Sequence, residues 1–404
     1  MPVLLGKARS IMENAIKFLR IQNFKSIKDV TLHPRRVNLI IGEPNVGKSN
    51  LLEAMSLLGG MVYEQKERFM GSFIRYEEPQ QLFHQNLTAH TIQVETDRDV
   101  VLIGKSLFGK ALRYLNITQA GYTDLLEKAD FTHRQPSPFG DAAAAFLNSF
   151  EEQVLRTDTE RRHHLNFIYG ELKGGEPWQL RADDSVPIFN QPSSSSAAVR
   201  LYTFAKQQHH YPQGGTVGFL EPPHGHNFLD VLRGSASLRQ EITRLFEKTQ
   251  QKLLVRVAER GLEVVQELDG VIYSYPYTST ADTLQRLIFY LAAIESNDHA
   301  VILLEEPEAH SYPVYVSKMG RHIVESEKNQ FFIATHSPYL FDGILEDMLI
   351  NEEQAGELAI FAAYYEDHQT KVHQLSDEEI RGIRADSIDV FYNMKRFTTG
   401  RIDA

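Results

Sequence analysis

Three stretches of this chain carry residue types and spacings suited to the chemistry of a phosphate chain. The first is Gly42-Glu43-Pro44-Asn45-Val46-Gly47-Lys48-Ser49. It follows Val37-Asn38-Leu39-Ile40-Ile41, which reads as a short buried strand, and runs into Asn50-Leu51-Leu52-Glu53-Ala54-Met55, which reads as a helix start. Strand, glycine-bearing turn and helix together make a phosphate loop. The glycines let backbone N–H groups converge on an anion, and the helix N-terminus adds partial positive charge. Lys48 would reach the β- and γ-phosphates, and the Ser49 hydroxyl would hold Mg²⁺.

The second stretch is Ala300-Val301-Ile302-Leu303-Leu304-Glu305-Glu306-Pro307-Glu308. Its apolar run delivers two carboxylates to the C-terminal edge of a strand, where open α/β sheets keep their ligands. Successive strand residues face opposite ways, so Glu305 and Glu306 can divide the work, one near Mg²⁺ and one toward an attacking water. The third is Phe331-Phe332-Ile333-Ala334-Thr335-His336-Ser337-Pro338, another buried strand ending in polar residues. His336 there could hydrogen-bond a γ-phosphate or the attacking water.

The elements that must position these groups alternate between short apolar strands and helices, the pattern of an α/β fold with a parallel sheet. Lys17 to Leu32 reads as a hairpin turning near Asn23-Phe24-Lys25-Ser26. Helices are expected over Met61 to Ile74, Ala142 to Phe146 within the stretch Asp141 to Leu155, Ala197 to Lys206, Phe228 to Leu232, Leu238 to Leu253, Thr283 to Ile294 and Tyr312 to Glu325. Paired strands are expected at Leu262 to Leu268 with Val271 to Tyr275, and a closing pair at Ala359 to Tyr365 with Lys371 to Leu375. The serine run in Gln191-Pro192-Ser193-Ser194-Ser195-Ser196 reads as a flexible loop.

The 404 residues suffice for two or three domains or one with a large insertion. The boundaries expected are 1–60 and 271–404 for the two parts of a nucleotide-binding head, with 61–270 as a helical and β-lobe insertion. The net charge of −11 argues against indiscriminate nucleic-acid binding. With no cysteine there is no disulfide framework. No apolar run approaches the ~20 residues of a membrane span, so a cytoplasmic protein without a membrane partner is expected.

In this order the three stretches resemble the ABC-type ATPase head of the SMC, RecF and OLD (overcoming lysogenisation defect) class. Phe18 to Ile27 resembles the opening hairpin of those heads, Gly42 to Ser49 their Walker A, Leu303 to Glu308 their Walker B, and Thr335 to Pro338 their switch-histidine segment. The fold implied is a P-loop NTPase with a mixed sheet and a helical insertion. The resemblance implies ATP and Mg²⁺ as cofactors, Glu306 as catalytic carboxylate and His336 as γ-phosphate sensor. It also implies Gly42 through Asn50 around the nucleotide, Ser49 and Glu305 on the metal, and Ala309 to Tyr312 as the D-loop. Glu305 stands where many relatives have Asp.

The signature segment departs from the class. Its place is Tyr277 to Arg286, without glycine, and Ser279, Thr280 or Thr283 would supply the hydroxyl contacts. Gln80, Gln81 and Gln85 are the candidates for the Q-loop glutamine.

The chain lacks the heptads of SMC arms and, after Ser337, the length for a TOPRIM nuclease domain. It thus resembles a stand-alone AAA-family ATPase subunit of bacterial phage-defence systems such as Septu or PARIS. The resemblance implies a slowly hydrolysing ATP-dependent switch, a homo-oligomer built from head-to-head dimers. Its partners would be a separate effector, a nuclease, and a phage trigger protein or DNA. A RecF-type repair ATPase holding DNA is the alternative, with Arg156, Arg161, Arg162, His163 and His164 as its nearest basic cluster. A third reading, a nuclease, would use His209, His210, His224 and His226, whose spacing fits no standard zinc set.

Overall fold

A computed structural model of the chain describes residues 12–64, 69–105, 112–128, 142–155, 164–172, 193–206, 211, 218–350 and 352–398. Its strands in chain order are β1 (Leu19–Phe24), β2 (Ile27–Leu32), β3 (Val37–Ile41), β4 (Ile92–Thr96), β5 (Asp99–Lys105), β6 (Leu112–Thr118), β7 (Phe167–Leu172) and β8 (Val199–Tyr202). They continue as β9 (Gln251–Arg256), β10 (Gly261–Leu268), β11 (Val271–Pro276), β12 (Val301–Glu305), β13 (Gln330–Ala334), β14 (Leu358–Glu366) and β15 (Gln369–Gln374). The helix after β3 is α1 (Lys48–Gly59).

One sheet has the order β15-β14-β3-β13-β12-β8, parallel throughout except for β15. Its central strands are buried on both faces and are mostly apolar; the buried Asn38 in β3 is satisfied by donating from Nδ2 to Arg35 O at 2.7 Å and Phe331 O at 2.8 Å. Alternate residues serve different cores. Val37, Leu39, Ile302, Leu304, Phe331 and Ile333 pack with helices Asp282–Ser296, Pro313–Glu325 and Pro338–Met348. Ile40, Val301, Leu303, Phe332 and Ala334 pack on the opposite face with Leu51, Leu52, Met55 and Leu58 of α1.

The second sheet is antiparallel, order β2-β1-β4-β5-β6-β7. Leu19, Ile21, Val94, Val101 and Ile103 face α1, while Val100 and Leu102 turn to Phe146, Leu147 and Phe150 of helix Ala142–Phe150. α1 therefore lies between two sheets, which is why nearly all of it is buried and its apolar residues do not keep to one stripe. The pairing of β1 with β4 ties the opening hairpin to the middle of the chain. A third sheet, β11-β10-β9, is also antiparallel and leads through Tyr277–Ser279 into helix Asp282–Ser296.

Several expected elements differ. The helix expected over Ala197 to Lys206 is a short helix, Ser194–Ala198, followed by β8. Parallel pairing of β8 with β12 buries Val199, Leu201 and Tyr202 there, and this tertiary context overrides local propensity. The helix expected through Leu253 ends at Glu247; Gln250 takes a positive φ and the chain turns back into β9. Of Met61 to Ile74, the described part is a single 3₁₀ turn, Gly60–Val62, and turns after residue 68. Ser193 to Ser196 is ordered: Ser193 Oγ donates to Asp99 Oδ1 at 2.6 Å and accepts from Ser196 N at 3.0 Å as an N-cap. Gln191 and Pro192 lie outside the described residues. Among the described residues no helix is long and apolar enough to cross a membrane.

Candidate functional site

The register of the parallel sheet pairs Ala334 with Ile40 on one side and with Glu305 on the other. The C-terminal ends of β3, β13 and β12 are therefore level, and the three stretches singled out in the sequence emerge side by side at one edge.

The loop after β3 owes its shape to its glycines. Gly42 has φ 154° and Gly47 φ 98°; a Cβ on Gly42 would stand 2.4 Å from the Ala363 carbonyl oxygen, and one on Gly47 2.1 Å from Thr370 Oγ1. Asn45 at the loop tip also has a positive φ, 63°, a conformation Asn tolerates better than most residues. Hydroxyls from both ends of the chain brace the loop. Thr370 Oγ1 donates to Val46 O at 2.8 Å, and Ser26 and Thr370 share a hydrogen bond of 2.6 Å. Asn50 Nδ2 donates to Ser26 Oγ at 2.6 Å, so the Asn50 side chain serves the brace.

Glu43, Pro44 and Asn45 are exposed, Val46 is buried, and Ser49 is half-buried beside Lys48 at the start of α1. Lys48 is itself buried and curls back over the loop. Its Nζ donates to Gly42 O at 3.0 Å and Glu43 O at 2.8 Å. Burial pushes the ammonium down to about 8, against the pull of the Glu306, Glu305 and Glu308 carboxylates.

Glu305 ends β12, and its Oε1 accepts from Arg75 Nη2 at 2.7 Å. Glu306 leaves the strand with φ 41°, an uncommon backbone state for a residue with a side chain. Its amide donates to Ala334 O at 2.9 Å, and its exposed carboxylate lies 3.5 Å from His336 Nε2. Burial lowers the His336 pKa, the Lys48 charge lowers it further, and Glu306 opposes both.

Glu308 ties the two loops together. Its Oε1 accepts from Thr335 Oγ1 at 2.6 Å and from His336 N at 3.0 Å. Its Oε2 is buried with no hydrogen-bond partner, and burial raises the carboxyl pKa despite those donors. Its position in the run Glu305 to Glu308 was visible in the sequence; its partner strand was not.

The candidates from other regions fare differently. Ser279 is exposed and Thr280 and Thr283 are half-buried where helix Asp282–Ser296 begins. The loop is held by Gln285, whose Nε2 donates to Thr280 O at 2.7 Å from a buried position. Of the three glutamines, Gln81 spends its Oε1 on the amides of Glu77, at 2.7 Å, and Glu78, at 3.2 Å. Gln80 and Gln85 are exposed. The side chain from this region that reaches the carboxylates is Arg75, which nothing in the local pattern marks.

His224 Nδ1 is 2.9 Å from Thr203 O, and its ring centroid is 6.4 Å from that of His226. Among the described residues no group of three His, Cys, Asp or Glu is placed to hold a metal. His209, His210, Arg156, Arg161, Arg162 and His163 lie outside the described residues, and His164 is exposed.

Compared with known proteins, residues 37–342 match the AAA_21 family, described as "AAA domain, putative AbiEii toxin, Type IV TA system". No curated protein matches the chain. Among solved structures it is similar to an SMC head bound to the C-winged helix domain of ScpA, at 15% identity and TM-score 0.44, covering 91% of this chain and 99% of that one. It is also similar to the SMC head domain from Thermotoga maritima, at 11% identity and TM-score 0.37, covering 89% and 99%. A third is an SMC head domain with an extended coiled coil, bound to the C-terminal domain of ScpA derived from Pyrococcus furiosus, at 12% identity and TM-score 0.43, covering 92% and 99%.

Proposed function

Because the chain belongs to the AAA_21 family and its parallel sheet delivers a glycine loop into the start of α1, we propose that it is an ATP-dependent switch with the fold of an SMC-like ABC ATPase head. It binds ATP with Mg²⁺, hydrolyses it slowly, and controls a separate effector, a nuclease, in antiviral defence. The head takes most of its parallel sheet from the segments 1–60 and 271–404, and the segment 61–270, read from the sequence as an insertion, adds β8 to that sheet beside β12. Two copies close head to head, each placing Ser279 or Thr280 at the nucleotide held by the other. The family's description as a toxin of a toxin–antitoxin system supports the defence setting.

The observation that carries this reading is the meeting of Lys48, Glu306 and His336 at the level edge of three adjacent strands. The loop amides and Lys48 hold the phosphates, and the Glu306 carboxylate, 3.5 Å from His336 Nε2, orients a water for in-line attack. Glu305 and Ser49 fit magnesium: a carboxylate and a hydroxyl are the oxygen donors it prefers, and Glu305 already accepts a cationic partner in Arg75. When bound, the metal neutralises charge on the β- and γ-phosphate oxygens.

The test pairs nucleotide binding with native mass, on the wild type, Lys48→Ala and Glu306→Gln coexpressed with their genomic neighbours. ATP is expected to shift the wild type to a larger assembly. Lys48→Ala should lose both binding and shift. Glu306→Gln should keep both while hydrolysis falls by ~10²-fold or more. Nucleotide binding by Lys48→Ala equal to the wild type, or hydrolysis by Glu306→Gln at the wild-type rate, overturns the reading.

A further inference from the structure

We propose that Arg75 is a positioning residue for Glu305: an internal counter-ion that holds this carboxylate ready and gives way to the metal of an incoming nucleotide. The proposal rests on the magnesium role given to Glu305 above and goes beyond it by naming what competes for that carboxylate.

The guanidinium spans two carboxylates from different elements. Arg75 Nη2 donates to Glu305 Oε1 at 2.7 Å, and Nε donates to Glu53 Oε1 at 2.7 Å. The backbone of Arg75 is pinned as well, its carbonyl accepting from Lys25 Nζ at 2.7 Å. Lys25 is in turn ion-paired with Glu53 Oε2. Segment 69–83, the opening hairpin, α1 and the end of β12 therefore meet in one network of two cations and two carboxylates.

The arms of that network differ in environment. Glu53 is 2% exposed, and its pair with Lys25 is shielded on both sides. Removing both cations from Glu53 would leave a buried charge without compensation, which is strongly unfavourable. The Arg75 side chain, by contrast, is 66% exposed and Glu305 20% exposed. An ion pair so open to water is weak. A divalent cation arriving with a triphosphate can thus displace Nη2 from Glu305 while Nε and Lys25 keep Glu53 satisfied. The anchor stays and the latch opens.

Charge supplies the reason for such a latch. Glu305, Glu306 and Glu308 all attract Lys48. With Arg75 engaged, Glu305 has a cation of its own and does not draw the Lys48 ammonium away from the loop carbonyls of Gly42 and Glu43. Arginine suits the task because its planar fork serves two acceptors at once and stays charged at every working pH.

The experiment titrates a fluorescent ATP analogue onto the full chain, first in EDTA and then at increasing Mg²⁺. It compares wild type, Arg75→Ala and Arg75→Lys, with thermal melts confirming that each is folded. In EDTA all three are expected to bind the analogue equally. In Arg75→Ala the Mg²⁺ concentration for half-maximal tightening should fall about threefold to fivefold, the scale of one exposed ion pair. Arg75→Lys should lie nearer the wild type. An unchanged or raised half-saturation in Arg75→Ala overturns the proposal, and so does weaker binding in EDTA, which would make Arg75 a direct phosphate contact. If the wild type binds no analogue at all, the nucleotide reading itself falls, and this proposal with it.

Discussion

Thr370 Oγ1 donates to the carbonyl of Val46, 324 positions earlier in the chain, at 2.8 Å, and sits where a side chain on Gly47 would have to go. The hairpin of β14 and β15 is thereby part of the phosphate loop's mould. Two glycines alone leave a loop free; packed against Ala363 and Thr370, with Ser26 and Asn50 bridging to the opening hairpin, it is held in one shape.

Thr370→Val keeps the shape of the side chain and removes the hydroxyl. It leaves Val46 O and Ser26 short of a buried partner, at a cost of ~1–3 kcal/mol. A lower melting temperature and roughly tenfold weaker ATP affinity are expected, with Thr370→Ser close to wild type. Calorimetry and equilibrium nucleotide binding check both. Valine and wild type with equal affinity would show that the brace does not shape the loop.

Lys48 makes the affinity depend on pH in a definite direction. Its ammonium is pushed down to about 8 by burial. A triphosphate binds the charged form, so affinity is full below that value and falls above it, by about tenfold per pH unit for a single coupled proton. The triphosphate is already fully ionised there and adds no slope. Binding measured from pH 7 to pH 9.5 checks this, and a flat profile would mean that Lys48 does not contact the nucleotide.

Glu308 predicts a pH dependence of stability. Its carboxyl pKa is raised above the ordinary 4.5, first by burial, so the folded chain keeps a proton that the unfolded chain has released. This contribution is fully present below the ordinary value and is lost as pH rises through the folded one. Glu308→Gln cannot titrate. The melting temperature of the variant minus that of the wild type should therefore grow from pH 4.5 to pH 7. A difference that stays constant with pH would place no raised carboxyl at this position.

Much of this architecture is written locally. Val37 to Ile41, Val301 to Glu305 and Gln330 to Ala334 are short, mostly apolar runs, each leading into glycine or polar residues, and that length and those flanks mark buried strands. Gly42, Gly47 and Lys48 stand in a pattern with few other uses. By itself, then, the sequence determined the three strands, the loop between β3 and α1, and which side chains sit at the strand ends. The tertiary structure alone decided the rest: that β8 is a strand, that Arg75 meets Glu305, that Glu308 grips Thr335 and His336, and that Thr370 and Ser26 brace the loop. Those partners lie up to 344 positions apart. Single polar residues at such separations leave no periodicity to read, and only the register of the parallel sheet and the packing of α1 between two sheets bring them within hydrogen-bonding distance.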